Sequence, residues 1–257
     1  MSPRRAGRLG PPLELEVSGR IAVLTLARPG AGNVLDDALM HALVAAADAL
    51  VDRDELCAVV LRARGTVFSR GLPPAVAWPP RAWPDGIAAI ARLPMPVVAA
   101  VRGDATGWGT ALALACDLRV VGAGARFSLP EVAAGRLPGG GVTQRLARLV
   151  GPARAADLVL LGTVLSGREA VAWGLATRAV PAAAVERTAL ATARGLARRG
   201  PVALRYAKEA VVRALDLPLD DGIRLEHDLY VLLQTTTDRR EGVRAFLQRR
   251  APRFEAR

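Results

Sequence analysis

Residues 103–117 read GDATGWGTALALACD, a glycine-rich turn that follows the apolar stretch VVAAV (97–101) and runs directly into an apolar segment. This order predicts a buried strand, a tight turn with close backbone approach, and a helix. The first amides of a helix have no intrahelical acceptor, and with the helix dipole they favour an anion or a developing oxyanion. Between Trp108 and Ala115 there is no carboxylate, His, Cys, Ser or Lys, and Thr110 is the only hydroxyl. Acid–base chemistry at this turn must therefore come from another part of the chain.

Two other interpretations of the same turn stay open. The letters GWGTAL (107–112) begin like the G-x-G-x-x-G fingerprint of a dinucleotide-binding turn. Leu112 replaces the last glycine, and no acidic residue ends a following strand at the expected distance, so a dinucleotide site is disfavoured. Taken alone, the segment would be interpreted as a purely structural connection between a strand and a helix.

On both sides of this turn, short strands alternate with helices. Apolar runs and alternating patterns predict strands, the first two of them as a hairpin, at 13–19, 20–27, 57–63, 97–101 and 118–129. Helical spacing with an acidic start predicts a helix over 36–53. Prolines make 70–86 a loop, and the pattern from Pro152 onward is almost wholly helical. The predicted fold is α/β, a layered core followed by a helical C-terminal appendage.

Composition excludes several classes of protein. A chain of 257 residues that is 51% hydrophobic can bury a full core. No apolar run is long enough to cross a bilayer, and 1–20 lacks the continuous apolar centre of a secretory signal, so we expect a cytoplasmic protein without a membrane partner. Cys57 and Cys116 lie in apolar stretches, which predicts buried reduced thiols. With His41 and His227 as the only imidazoles, no metal site is expected.

The net charge of +11 raises the question of a nucleic-acid partner. Lys208 is the only lysine, and the arginines are scattered along the whole chain. The local basic run 239–257 lacks the pattern of interleaved aromatic residues that is typical of nucleic-acid binding. It is interpreted as a solvated helix and tail, and a nucleic-acid partner is not expected.

Five ordered segments resemble the enoyl-CoA hydratase/isomerase family, also called the crotonase superfamily. Their order and spacing match that family from about Leu13 to Phe254, nearly the whole chain. The segments are VFSRGL (67–72), GDATGWGTALALACD (103–117), FSLPEVAAGRLPGGGVTQRL (127–146), GREAVAWGLATRAVP (167–181) and TTTDRREGVRAFLQRRAPRF (235–254). The resemblance implies a crotonase-like spiral of β-β-α units with an acyl-CoA site over 1–200, followed by a C-terminal helical trimerisation region over 201–257. It implies an acyl-CoA thioester substrate, no cofactor beyond the CoA moiety of that substrate, and a homotrimer or a hexamer.

The resemblance also implies which backbone groups bind the substrate. Members of the family hold the thioester oxygen, as it becomes an enolate, on two backbone amides. Carried over to this sequence, these are the N–H groups of Leu72 and Trp108, each preceded by a glycine, Gly71 and Gly107. Gly139, in LPGGG, matches the position whose amide helps to hold the reacting water or acyl group. Preorganised donors of this kind supply a large share of the catalysis.

The acid–base pattern departs from that of the hydratases. Hydratases of the family carry one glutamate three residues after the second oxyanion amide and another in a Pro-Glu pair. The second is present as Glu131, but Ala111 stands at the first position. Because a single base can move a proton from C2 to C4 of a 3-enoyl thioester, this pattern favours double-bond isomerisation over hydration. A glutamate at 111 is expected to restore hydration if the pocket has room for it.

Other functions stay open beside isomerisation. One is a weak hydratase, or a decarboxylase on the same scaffold; the other is a non-catalytic CoA- or RNA-binding member of the family. Asp104 is a candidate auxiliary acid but more typical of a turn cap, and His227 is more typical of a surface or packing residue. Trp78 and Trp83 are candidates for covering the CoA end. Pro73 replaces an acidic residue of the family pattern and puts the usual adenine contacts in doubt.

Overall fold

The computed structural model describes residues 11–76 and 83–257. Trp78 lies outside the described residues, so its predicted place over the CoA end stays a prediction. Within the described ranges, no helix combines the length and the apolar character needed to cross a bilayer.

Nine strands and ten α-helices form the described part of the chain. The strands are β1 (Leu13–Ser18), β2 (Ile21–Leu26), β3 (Ala58–Ala63), β4 (Val97–Val101), β5 (Ala105–Thr106), β6 (Leu118–Gly122), β7 (Arg126–Ser128), β8 (Leu165–Ser166) and β9 (Arg178–Val180). The helices are α1 (Asp37–Val51), α2 (Gly86–Ala91), α3 (Trp108–Leu114), α4 (Val142–Val150), α5 (Pro152–Ala156), α6 (Gly167–Ala172), α7 (Val185–Ala197), α8 (Pro201–Arg213), α9 (Leu219–Gln234) and α10 (Thr237–Leu247).

The larger sheet has six strands in the order β1-β2-β3-β4-β6-β9. β1 and β2 are antiparallel, which confirms the predicted hairpin, and every other pair in this sheet is parallel. Helices cover both faces: Val59 and Leu61 of β3 point into the main core, whereas Ala58 and Val60 pack toward α7. Burial on both faces explains why β3 and β4 are continuous apolar runs. The observed architecture is α/β, as predicted.

The smaller sheet, β5-β7-β8, joins the two segments that carry the candidate site. β5 and β7 are parallel, with Thr106 opposite Ser128. Each strand ends just before a candidate site segment, β5 before the turn that starts α3 and β7 before the Pro-Glu pair. Because parallel strands end at the same edge of a sheet, this pairing brings the glycine turn and Glu131 together.

Two strands lie in the region that the sequence predicts to be almost wholly helical. β8 has two residues and β9 has three. Such short segments show no alternation of apolar and polar residues, and their pairing partners determine their conformation. β9 pairs with β6, Val120 opposite Arg178, and completes the larger sheet. The prediction of a helical second half is wrong at these two places.

The C-terminal helices are tied to the core and to the chain terminus. α8 starts at Pro201, where the predicted C-terminal region begins, although the division into two regions stays a prediction. The Lys208 Nζ lies 2.7 Å from an Asp117 carboxylate oxygen and 3.1 Å from the Met95 carbonyl oxygen. At the other end, the buried Asp238 carboxylate accepts the N–H groups of Glu255 and Ala256. The arginine-rich tail therefore folds back onto α10.

Candidate active site

The glycine turn before α3 has the backbone geometry that its sequence predicts. Gly107 is the residue before the helix, with φ 54° and ψ −118°, a conformation that residues with a side chain rarely adopt. Its N–H donates to the Ser128 carbonyl at 2.8 Å. The Thr110 hydroxyl donates to the Ala105 carbonyl at 2.8 Å, so the one hydroxyl of the helix holds the turn in place.

The segment 69–72 lies against this turn. The Ser69 carbonyl accepts the Thr106 N–H, and the Ser69 hydroxyl accepts the Gly71 N–H at 3.1 Å. A Cβ atom built on Gly71 would lie 3.1 Å from the Trp108 nitrogen. Bond lengths then keep the Leu72 nitrogen within roughly 7 Å of the Trp108 nitrogen. The Leu72 N–H has no hydrogen-bond acceptor among the described residues.

Glu131 brings a carboxylate to the same turn. A Cβ atom built on Gly107 would lie 2.2 Å from the Glu131 Oε1, so a side chain at residue 107 would displace this carboxylate from its position. Glu131 is 7% exposed, and its Oε2 is buried with no hydrogen-bond donor among the described residues. Burial raises the pKa of Glu131, while a hydrogen bond from its own backbone and the charge of Arg136 act in the opposite direction.

Proximity of Glu131 argues against the dinucleotide interpretation of the turn. A phosphate bound at the start of α3 would meet the Glu131 oxygen beside Gly107. Two anions at such a distance repel each other strongly in a buried site. The turn is therefore better suited to a neutral carbonyl oxygen that gains charge during a reaction.

The wall beyond Trp108 is apolar. Ala111 is fully buried one helical turn after Trp108, and Trp108 is 8% exposed. Gly140 lies close to both residues. The sequence does not predict this packing, and the glycine run LPGGG is its only sign of a close backbone approach. Gly139, the predicted residue of that run, is buried and its carbonyl accepts the Val142 N–H at 3.2 Å. Arg145 holds the run by donating to the Gly140 carbonyl at 2.7 Å.

The structure also shows the surroundings of three secondary candidates. Asp104 accepts the Arg126 N–H at 3.0 Å, which is the structural role predicted as the more typical one. His227 is exposed on α9. Trp83 packs against the main core. Of the predicted site residues, the structure thus brings together Gly71, Leu72, Gly107, Trp108, Ala111 and Glu131.

Comparison with known proteins identifies a family for this chain. A family model described as enoyl-CoA hydratase/isomerase matches residues 16–257. The chain is 37% identical over 245 residues to the 2,3-dehydroadipyl-CoA hydratase of Escherichia coli (strain K12), covering 93% of this chain and 96% of that protein. It is 36% identical over 252 residues to the (E)-benzylidenesuccinyl-CoA hydratase of Thauera aromatica, covering 95% and 98%. The crystal structure of an enoyl-CoA hydratase from Bacillus anthracis matches with a TM-score of 0.90 at 31% identity, covering 96% of this chain and all of that one.

Proposed function

The chain belongs to the enoyl-CoA hydratase/isomerase family, and from this premise we propose that it shifts the double bond of an enoyl-CoA thioester with Glu131 as its single carboxylate base. The observation that carries the proposal is the buried Glu131 carboxylate against Gly107, with an alanine at 111. Substrate binding requires no cofactor beyond the CoA moiety.

The oxyanion in this proposal is held by backbone amides. The thioester oxygen accepts hydrogen bonds from the Leu72 and Trp108 N–H groups, whose segments contact each other through Gly71. The start of α3 adds the positive end of a helix dipole to the same place. A backbone donor does not depend on its side chain, so leucine and tryptophan can serve at these positions. Gly139 contributes to the wall that holds the acyl group.

Glu131 moves the proton. Its carboxylate removes a proton from C2 of a 3-enoyl thioester, and the electron pair spreads over the dienolate to the thioester oxygen. The same carboxyl group returns the proton at C4, the double bond ends between C2 and C3, and the carboxylate is restored. A raised pKa matches this role because the group must gain and lose a proton near neutral pH.

Ala111 makes hydration the less favoured reaction. Addition of water is served best by two groups that orient the water, deprotonate it and protonate the α-carbon. The methyl group of Ala111 offers no hydrogen bond, and the residue is fully buried. With one carboxylate, transfer of a proton within the substrate needs fewer groups than addition of water does.

Weak hydration remains the second candidate. The relatives from Escherichia coli and Thauera aromatica are both named as hydratases. Glu131 alone could activate a water molecule, at a lower rate than a pair of carboxylates.

A panel of thioesters distinguishes the two candidates. The protein is incubated with 2-enoyl- and 3-enoyl-CoA of several chain lengths, and the products are identified by mass and by the absorbance of the conjugated thioester. Isomerisation predicts conversion of 3-enoyl to 2-enoyl thioester without a change in mass. A gain of one water from 2-enoyl substrates, with no isomerisation, would instead support the hydratase.

A further inference from the structure

Three apolar side chains from two helices, Ile87 of α2 and Trp108 and Ala111 of α3, converge next to Gly140. A Cβ atom built on Gly140 would lie 2.9 Å from Ile87 Cδ1, 3.0 Å from Ala111 Cβ and 3.3 Å from Trp108 Cε3. Distances this short leave no room for a Cβ atom at residue 140, so the Gly140 backbone packs closely beside these side chains. The tryptophan ring and the Ala111 methyl group therefore close the same small volume.

The arrangement has consequences for residue 111. A glutamate there would add four heavy atoms beyond Cβ at a position with no exposed surface. The space beside its Cβ is occupied by Gly140 and bordered by the Trp108 ring. Forcing a larger side chain into a packed core shifts its neighbours at a considerable cost. The sequence-based expectation that glutamate at 111 restores hydration therefore meets a steric obstacle in Trp108.

We propose that the Trp108 side chain is a specificity-determining group that acts with Ala111 as one unit, excluding water from the wall beside the oxyanion turn. With the ring in place, the space beside Ala111 has no room for a second carboxylate or for a water molecule bound to that carboxylate. The substrate class is then restricted to enoyl thioesters that react by internal proton transfer. This catalytic consequence rests on the proposed function, whereas the steric coupling of residues 108 and 111 does not.

The side chains at 108 and 111 therefore share one volume, so that a smaller side chain at one position leaves room for a larger one at the other. A small residue at 108 would free the volume next to Gly140 that a glutamate at 111 needs. Trp108→Ala keeps the backbone amide of the proposed oxyanion hole and removes only the ring. The two substitutions should therefore depend on each other, which a double-mutant cycle measures.

The experiment compares the wild type, Ala111→Glu, Trp108→Ala and the double variant. Thermal unfolding is followed for each, together with incorporation of labelled water oxygen into a short 2-enoyl-CoA. Ala111→Glu alone should lower the unfolding temperature and give no hydration. The double variant should recover most of that loss and hydrate at least ~10-fold faster than either single variant, because only it holds a second carboxylate in the freed volume. If Ala111→Glu alone does not fold, recovery of folded protein in the double variant is the same result.

Ala113→Glu is the matched control. Ala113 is also fully buried on α3 but lies about 140° around the helix axis from Trp108, so Trp108→Ala should not rescue it. The proposal is overturned if Ala111→Glu is as stable as the wild type and hydrates without help. It is also overturned if the stability losses of the two single variants simply add, or if the double variant is rescued in stability yet does not hydrate. Absence of isomerisation in the wild type counts against the proposed function, and the stability cycle still decides the steric coupling.

Discussion

Burial gives Glu131 two properties that oppose each other. Its carboxylate is held against Gly107 with one oxygen unbonded among the described residues, so it is ready to accept a proton. The same desolvation makes the ionised form costly in the folded protein. A base placed in this way improves proton transfer and reduces stability at neutral pH.

Replacing the carboxyl group by an amide tests the catalytic half of this argument. Glu131→Gln keeps size and polarity but cannot accept the proton, so turnover of a 3-enoyl-CoA should fall at least ~100-fold. Binding of the thioester, measured by calorimetry, should change little because the oxyanion amides remain. Unchanged turnover would remove Glu131 from the mechanism.

The pH dependence of stability tests the other half. The pKa of Glu131 is raised in the folded protein, so the folded state holds the proton more tightly than the unfolded state does. The stability that this proton contributes is present below the ordinary carboxyl range and is lost as pH rises through the folded pKa. Glu131→Gln should therefore be more stable than the wild type at pH 7, with the difference shrinking toward pH 4. Thermal unfolding of both proteins across this pH range measures the difference, and Glu226→Gln, at an exposed position on α9, is the control. A stability difference between Glu131→Gln and the wild type that stays constant with pH would contradict the prediction.

Motifs predicted the identity of the site residues but not how their side chains pack. Leu72, Trp108 and Glu131 could be proposed from the sequence because their expected roles belong to the backbone or to one carboxylate in a fixed local sequence. Gly140 and the direction of the Trp108 ring could not be located from the sequence. They depend on which of three separate segments fill one small volume, and local sequence carries no such information.

At the scale of elements, one ion pair links the C-terminal helices to the sheet. Lys208 of α8 is 9% exposed at its side chain and reaches Asp117, which lies between α3 and β6 and also accepts the Val97 N–H at 2.7 Å. The pair thus joins α8 to the start of β4 and to the strand that follows the candidate site. The sequence contained a signal for it, the single lysine in an arginine-rich chain.

Removing this lysine should destabilise the protein strongly. Lys208→Met keeps the apolar stem and leaves the Asp117 carboxylate without its cation, which typically costs about 3 kcal/mol for a largely buried pair. Urea unfolding measures the change. Arg224→Ala is the control: it breaks the exposed Arg224–Asp221 pair on α9 and should change the free energy of unfolding by less than about 1 kcal/mol. Equal effects of the two substitutions would show that the Lys208 pair is not a structural link.

The sequence predicted the elements whose apolar pattern extends over many residues, and it missed the elements that are only two or three residues long. The hairpin, the central strands and α1 follow from apolar patterns and from Asp36, whose side chain accepts the Leu39 N–H at the start of the helix. β8 and β9 contain too few residues to show a pattern and exist because β7 and β6 offer edges to pair with. Tertiary pairing decided these two elements.

At the scale of the whole molecule, the C-terminal helices expose large apolar side chains. Leu219 is 78% exposed, Phe246 82% and Leu247 75%. Surfaces of this kind are typical of protein–protein contacts. We expect a homotrimer, or a hexamer built from two trimers, in which other copies cover these residues. Sedimentation velocity should show it, and Phe246→Glu with Leu247→Glu should weaken it; a stable wild-type monomer at micromolar concentration would contradict the expectation.

Ligand preference distinguishes an acyl-CoA enzyme from a non-catalytic RNA-binding member of the family. The chain carries a net charge of +11, which by itself would attract RNA, but its charge includes arginines already engaged with carboxylates, such as Arg250 with Glu241 and Arg205 with Asp54. A ligand that binds only the folded state raises the unfolding temperature, and the increase grows with the logarithm of the ratio of its concentration to its Kd. A CoA thioester should therefore protect the protein more than free adenine nucleotides or short RNA do, because its acyl and CoA groups together place the thioester oxygen at the proposed Leu72 and Trp108 amides. Protection by RNA should fall steeply as salt is raised to the physiological level, whereas binding through the thioester should depend on salt much less. Stronger protection by RNA than by thioester at physiological salt would favour a binding protein that keeps the fold without the chemistry.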